Sequence, residues 1–319
     1  MLKTFTYTKI KQCYICNSKK LEKISNIYSS SIPNFKSYLF LCKSCGYGFL
    51  NPQPDNRSYK KINEIWYKKK FSINQKHNEP KILNRHKKTL HRLNKLKILI
   101  KPQTKILDIG AGYGQLFDEI KKVYKKTNYY ALEQFQEAID VIKNKGGKII
   151  NHQIDEPWSS KYKNFFDLII FRHTLEHLKD INLCLNQIKN SLSKNGLAYI
   201  VVPNSLNDKL KFLKTDFCRP VHLSYFNFFS LSELLKINNF EIYYYNIEKN
   251  EICLVVKNSE NAKKQINLNQ GKKNYFLQRE IYNKKINEYF YHELWKIFKI
   301  YFKRILFHLK LINKKLYEN

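Results

Sequence analysis

Acidic residues are scarce in this 319-residue chain: 26 Asp and Glu stand against 58 Lys and Arg, a formal net charge of +32. Such an imbalance raises nucleic acid, an acidic membrane surface or an anionic substrate as partners. Arginine is nearly missing from the excess, because 51 of the basic residues are Lys and 7 are Arg. The planar guanidinium is the preferred reader of phosphates and base edges, so a selected nucleic-acid surface is disfavoured. The Lys-, Asn-, Ile- and Tyr-rich composition reads instead as AT-rich coding bias. No run of roughly 18 uncharged apolar residues is present, which argues against a spanning helix. The opening MLKTFTYTKIKQC has no apolar segment of signal-peptide type, so secretion is not expected. Hydrophobic residues make up 43% and aromatics 15%, enough for a sizeable core and too much for global disorder.

Four of the seven cysteines form two Cys-x-x-Cys pairs, Cys13/Cys16 and Cys42/Cys45, separated by 25 residues. Cys184, Cys218 and Cys253 are scattered. This pattern suits metal binding in a reducing cytoplasm better than a disulfide framework. Each pair lets two thiolates reach one ion from a tight turn, and two turns complete a tetrahedral set. Gly46 and Gly48 supply the permissive backbone that follows such a knuckle. Four thiolates leave no open coordination position, so the expected ion is a structural zinc.

Four zones follow along the chain. Residues 1–54 hold the cysteine pairs and end in the breaker-rich Asn51-Pro52-Gln53-Pro54. Residues 55–103 are expected to be a helical connector, polar and Lys-rich, with helical spacing at Ile82, Leu83, Leu90, Leu93, Leu96 and Ile98–Ile100, closed by Pro102. From 104 to 257, strands and helices alternate, which predicts an α/β fold with a mostly parallel sheet. Strands are expected at Ile106–Ile109, Tyr129–Glu133, Lys148–Asn151, Asp167–Phe171 and Leu197–Val202. A helix at Leu231–Asn238 precedes two β-rich runs, Glu241–Ile247 and Ile252–Val256, that form a terminal hairpin. Residues 258–319 are a basic helical tail.

The strongest chemical signal is Ile106-Leu107-Asp108-Ile109-Gly110-Ala111-Gly112-Tyr113-Gly114. An apolar strand ends in an Asp and passes through glycines into a helix, a turn in which backbone can approach a ligand closely. The dinucleotide fingerprint G-x-G-x-x-G is not met, since Gln115 occupies the later position. The order D-x-G-x-G-x-G resembles motif I of class I S-adenosylmethionine-dependent methyltransferases. That resemblance implies a Rossmann-like methyltransferase sheet with an antiparallel last strand, and S-adenosylmethionine as cofactor. Asp108, Gly110, Gly112 and Gly114 would then form the cofactor loop. Glu133, nineteen residues on, would accept hydrogen bonds from the ribose hydroxyls. The segment Phe166–Leu178, with Leu175-Glu176-His177, resembles the family's fourth strand and following turn. There His173 would line the cofactor cleft, and His177 would sit structurally on the next helix.

A Cys₄ ribbon ahead of such a domain, joined through N-P-x-P, is similar to zinc-binding sugar methyltransferases. This implies a sugar or sugar-nucleotide acceptor, methylated on a hydroxyl or carbon in surface-glycan or deoxysugar synthesis. In Arg219-Pro220-Val221-His222-Leu223-Ser224-Tyr225-Phe226, which follows the fifth strand, His222 is the candidate general base. The C-methyltransferases carry Glu beside the matching His; Val221 stands there instead, which weakens the case for transfer to carbon. Cys218 reads as a loop cysteine, and no Asn-Pro-Pro-Tyr motif for amino-group methylation of bases is found. The competing readings are an RNA methyltransferase and a non-catalytic zinc-ribbon interaction protein on a degenerate fold.

The tail from Ser259 holds 12 Lys and 2 Arg against 5 Glu, a net +9. Trp295, Phe298, Phe302, Ile305, Leu309 and Ile312 recur at helical spacing, with Lys296, Lys299, Lys303 and Lys310 between them. Packing of this stripe on the protein's own core or a second subunit is the preferred expectation. Peripheral contact with an anionic membrane surface is the alternative. The oligomeric state is open.

Overall fold

The computed structural model describes residues 5–27, 32, 34–70, 80–98, 100–124, 127–154, 156–207, 219–260 and 266–308. Cys218, Leu309, Lys310 and Ile312 lie outside them. Short strands β1 (Tyr7–Thr8), β2 (Leu21–Ile27), β3 (Ser37–Cys42), β4 (Gly48–Asn51) and β5 (Gln53–Pro54) come first. Helices α1 (Asn56–Lys70) and α2 (Pro80–Lys95) follow, then β6 (Lys105–Ile109), α3 (Gln115–Val123), β7 (Asn128–Leu132), α4 (Gln136–Asn144) and β8 (Lys148–Ile149). The second half runs β9 (Phe166–Arg172), α5 (Ile181–Ser191), β10 (Leu192–Pro203), β11 (Ser224–Tyr225), α6 (Phe228–Ile237), β12 (Phe240–Ile247), β13 (Glu251–Asn258) and α7 (Leu268–His308).

Seven strands form the main sheet in the order β12-β13-β10-β9-β6-β7-β8. Pairings among β8, β7, β6, β9 and β10 are parallel, and β13 runs antiparallel to both β10 and β12. The central strands are near-continuous apolar runs because helices cover both faces. Ile106, Leu107, Ile109, Leu168, Ile169, Ile170 and Phe171 are all essentially inaccessible to solvent. Local chemistry sets the helix starts. Asp180 accepts from the Leu183 N–H at 2.8 Å to cap α5, and Asn227 with Ser230 forms a reciprocal capping box at α6.

The N-terminal strands build a second, antiparallel sheet, β11-β4-β3-β2, which borrows β11 from beyond the fifth parallel strand. Tyr47 ties it to the main body, with its hydroxyl 2.6 Å from Ser224 Oγ and its ring 5.6 Å from that of Phe226. Cys13, Cys42, Cys45, Phe49, Ile169 and Leu231 therefore belong to one continuous core.

The structure differs from expectation at several elements. α1 is an additional helix whose sparse apolar positions, Tyr59 and Ile62, are buried against the N-terminal sheet. α2 stops at Lys95 instead of continuing through Ile98–Ile100. Lys97 adopts φ +57° and the Ile98 N–H returns to the Leu93 carbonyl, a left-handed helix stop. β10 begins at Leu192, so Gly196 lies within the strand, where the register with β9 shifts between Leu192 and Leu197. His177 is in a 3-10 turn, Leu175–His177, and not on a following helix.

The tail is helical from Leu268 to His308, and its two halves behave differently. In the first, Tyr275, Gln278, Tyr282 and Lys285 are buried. Asn274 Nδ2 donates to the Cys45 carbonyl at 2.8 Å and Arg279 Nε to Glu22 at 3.0 Å, seating the helix on the cysteine knuckle. In the second half, Trp295, Phe298, Phe302 and Ile305 are exposed. Packing of this stripe on the protein's own core is therefore corrected for these residues, while packing on a second subunit, the other half of the expectation, is not addressed by a single chain.

Candidate active site and cysteine cluster

The order of the main sheet reverses between β6 and β9, and a crevice at the carboxyl ends of parallel strands forms where it does. The Gly110–Gly114 turn lies there. Gly110 (φ +71°) donates its N–H to the Leu132 carbonyl at 2.8 Å, and a Cβ on it would stand 2.2 Å from Thr174 Oγ1. Only glycine fits that contact. Gly112 (φ +55°) is different: a Cβ there would meet only Gln115 Oε1, at 3.6 Å, so the position faces open space. Gly114 (φ +72°) is the N-cap of α3, with no side chain bonding the helix's first N–H groups. Those donors and the positive end of the helix remain available to an anionic or polar group. Lys145 ties the turn down from α4, donating to the Tyr113 carbonyl at 2.8 Å and to Asp118 at 2.7 Å.

Glu133 follows β7 and is 8% exposed. Its Oε2 accepts from the Gly112 N–H at 2.7 Å, and Oε1 from Gln134 and Phe135 at 2.7 and 3.2 Å. Burial raises its pKa, and the three backbone donors oppose that. A carboxylate offers about four lone-pair positions, so acceptor capacity remains for a hydroxyl. Asp108 lies beneath the turn, buried, with Oδ2 accepting from the Tyr129 hydroxyl at 2.7 Å. Burial pushes its carboxyl up to about 7 despite that bond. Tyr129, stacked on Phe117 at 4.2 Å, is a partner with no separate signal in the sequence.

A second group gathers at the end of β9. His173 adopts φ +51° and directs Nε2 to Glu251 at 3.3 Å and Nδ1 to Glu176 at 3.6 Å. Glu251 is also held by Arg172 at 2.8 Å and Arg92 at 3.0 Å. Burial opposes its charge, but the His173 hydrogen bond and the two guanidiniums hold its carboxyl well below the ordinary range. This strut fastens α2 over the sheet edge. Sequence reading missed it, because its members are 159 residues apart; an Arg closing an apolar strand, as Arg172 does, was the available signal.

His222 is brought to the same place. Its ring meets that of His177 edge-on at 4.8 Å, and both lie beside Glu176, with candidate ligand atoms of all three within 4.8 Å of one another. His177 Nδ1 donates to the Val221 carbonyl at 2.8 Å, which leaves Nε2 as the basic nitrogen. Burial lowers the His177 pKa, and the Glu176 carboxylate opposes that shift. For Glu176, burial disfavours the charge, but His173 and His177 more than offset it and its pKa falls below the ordinary value.

The four cysteines form a separate cluster. Cys13 and Cys45 sulfurs are 3.6 Å apart and those of Cys16 and Cys42 3.4 Å, with all four within 4.8 Å of one another. Four sulfurs at about 2.3 Å from one tetrahedral ion would sit about 3.8 Å apart, close to what is seen. The Ile15 N–H points at Cys13 Sγ from 3.4 Å. The neighbouring thiols of Cys13, Cys16 and Cys45 draw the Cys42 pKa down.

A family model described as a methyltransferase domain matches residues 76–245. The chain is 28% identical over 159 residues to a ubiquinone biosynthesis O-methyltransferase of Pelagibacter ubique (strain HTCC1062), covering 48% of this chain and 64% of the relative. Less than two thirds of that relative's length is therefore spanned. It is 27% identical over 166 residues to a putative methyltransferase of Bacillus subtilis (strain 168), covering 49% of this chain and 83% of that one. Among solved structures, a protein from Pyrococcus horikoshii OT3 superposes with a TM-score of 0.49 at 15% identity, over 61% of this chain and 99% of its own. With more than half of the chain matched by the family model, and with motif I, the acid after the second sheet strand and the reversed last strand all in place, the chain belongs to the methyltransferase-domain family, on the Rossmann-like class I fold.

Proposed function

We propose that this protein transfers a methyl group from S-adenosylmethionine to a hydroxyl of a small polar acceptor, a sugar or sugar nucleotide in surface-glycan or deoxysugar synthesis. The observation that carries the reading is the pairing of the open Gly112 position with the Glu133 carboxylate, at the ends of neighbouring strands β6 and β7 beside the switch point. Gly110, Gly112 and Gly114 would let the cofactor approach backbone, Glu133 would take a ribose hydroxyl, and Asp108 would support the turn from below. His173 would wall the cleft from the β9 side. When bound, the cofactor supplies an electrophilic methyl on a positively charged sulfur.

The chain's own residues would do the rest. The acceptor oxygen must lie in line with the methyl–sulfur bond, and its proton must leave as the carbon–oxygen bond forms. His222 would take that proton, with the His177 ring packed edge-on against it fixing its orientation and Glu176 stabilising the imidazolium that results. Val221 beside His222, where sugar C-methyltransferases carry Glu, supports transfer to oxygen. So does the similarity to an O-methyltransferase of Pelagibacter ubique. The acceptor class rests on the Cys₄ cluster ahead of the domain, a combination shared with zinc-binding sugar methyltransferases. The cluster would hold one structural zinc, which its closed four-thiol set and sulfur spacing fit.

The test is transfer of labelled methyl to a panel of nucleotide sugars by the wild type and by His222→Ala. Label in a sugar hydroxyl, with turnover in the variant lower by about 10²–10⁴ and cofactor affinity retained, is the expected result. Equal turnover in the variant removes His222 as the base; no labelled sugar removes the acceptor class.

A further inference from the structure

The distal half of α7 has no role in the methyl-transfer site, and its surface is unusual. Beyond Lys285 no described side chain of this helix is buried. Ten large hydrophobic residues between Phe290 and Ile305 are 45–69% exposed. Their order is not random. Phe290, Leu294, Ile297, Phe298, Tyr301 and Ile305 follow the three- and four-residue steps of one helix face. Trp295, Phe298 and Phe302 continue that face as a stacked aromatic ladder, with ring centroids 5.4 and 5.9 Å apart. The opposite side carries His292, Lys296, Lys299 and Lys303, with Glu293, Ile300 and Arg304 along one margin, where Lys296 pairs with Glu293 at 3.1 Å.

We propose that this half-helix, Phe290 to Ile305, docks the protein on an anionic lipid surface, lying in the headgroup plane with the aromatic face down. Charge selects this occupant. The chain carries +32 overall and the tail from Ser259 a net +9, so an anionic bilayer attracts the helix while a second copy repels it. Width selects it too. A two-helix seam needs a narrow stripe of two positions in seven, whereas here the apolar arc covers nearly half of the circumference, as an interfacial helix requires. Trp and Tyr bring apolar rings with a polar edge, which suits the headgroup boundary. Lysine stems can bend so that their ammonium groups reach phosphates. Among the described residues no helix is long and apolar enough to cross a membrane, so the contact is with one face of the bilayer. The inference is independent of the acceptor and of the methyl-transfer reading.

Full-length protein is mixed with phosphatidylcholine vesicles containing about a third phosphatidylglycerol, and with pure phosphatidylcholine vesicles, at physiological salt. Co-sedimentation with the first alone, weakened about ten-fold or more in 0.5 M salt, is expected. Trp295 emission should shift to the blue on binding. The triple variant Trp295→Glu/Phe298→Glu/Phe302→Glu alters exposed positions only and should fold with unchanged circular dichroism. It should lose vesicle binding by about ten-fold or more, and Lys296→Gln/Lys299→Gln/Lys303→Gln should weaken it alone. Protein that stays in solution with both vesicle types overturns the proposal. So does equal binding to neutral and anionic vesicles, or binding untouched by the triple variant. A dimer in sedimentation velocity that the triple variant dissolves, without vesicle binding, assigns the face to a second copy and also overturns it.

Discussion

Gly110 and Asp108 are two residues apart and fail in different ways when changed. At Gly110 the left-handed φ and the 2.2 Å approach to Thr174 act together. Gly110→Ala is expected to cost on the order of 2–4 kcal/mol in chemical denaturation, since strain and steric overlap add. Asp108 instead couples stability to pH. Its carboxyl moves from an ordinary 3.8 to about 7 in the folded chain because burial disfavours the charge. Between those values the unfolded chain ionises and the folded chain does not, so stability falls as pH rises and the loss is complete above about pH 7. Asp108→Asn, which keeps an acceptor for Tyr129, should therefore melt higher than wild type at pH 8 by an amount worth about 2–4 kcal/mol, and equally with it near pH 3.5. Melting curves at the two pH values check this. Asp108, the three glycines and Glu133 were legible in the sequence because motif and spacing are local. Tyr129 and Glu251 were not, since their value depends on which strands become neighbours.

At the level of elements, the central strands declared themselves as short apolar runs, and the terminal hairpin by its polar turn. α1 did not, because its core-facing residues are spread among Lys and Asn and gain their burial only from the N-terminal sheet. The end of α2 was misread for a related reason. Ile98 and Ile100 continue an apolar pattern, yet Lys97 reverses the chain and Ile100 is buried next to β6. The cysteine cluster lies where the N-terminal strands meet the main body. Its thiols sit within the main apolar cluster, and Asn274 on α7 bonds the Cys45 carbonyl. Elemental analysis should find one zinc per chain. Cys42→Ser should lose the zinc and open amides of 5–54 to hydrogen exchange before those of β6 and β9, because metal binding contributes folding free energy. A metal-free protein with those amides protected would contradict it.

Over the whole molecule, one sheet edge collects groups from every part of the chain. The Gly110–Gly114 turn, Glu133, the His177–His222 pair and the Arg92–Glu251–Arg172 strut all stand at or beside the carboxyl ends of the parallel strands. Sequence alone separated residues 1–54 from the α/β region, whereas the chain uses β11 and α7 to seat that segment against the body. Such long-range pairings carry no local signature. Calorimetric titration with S-adenosylmethionine tests the assignment of the switch-point crevice as a cofactor site. Wild-type protein should bind with micromolar affinity, about −8 kcal/mol, and Gly112→Arg, which fills the open position, should bind none while still melting cooperatively. No binding by the wild type, or undiminished affinity in a folded Gly112→Arg, would contradict the account.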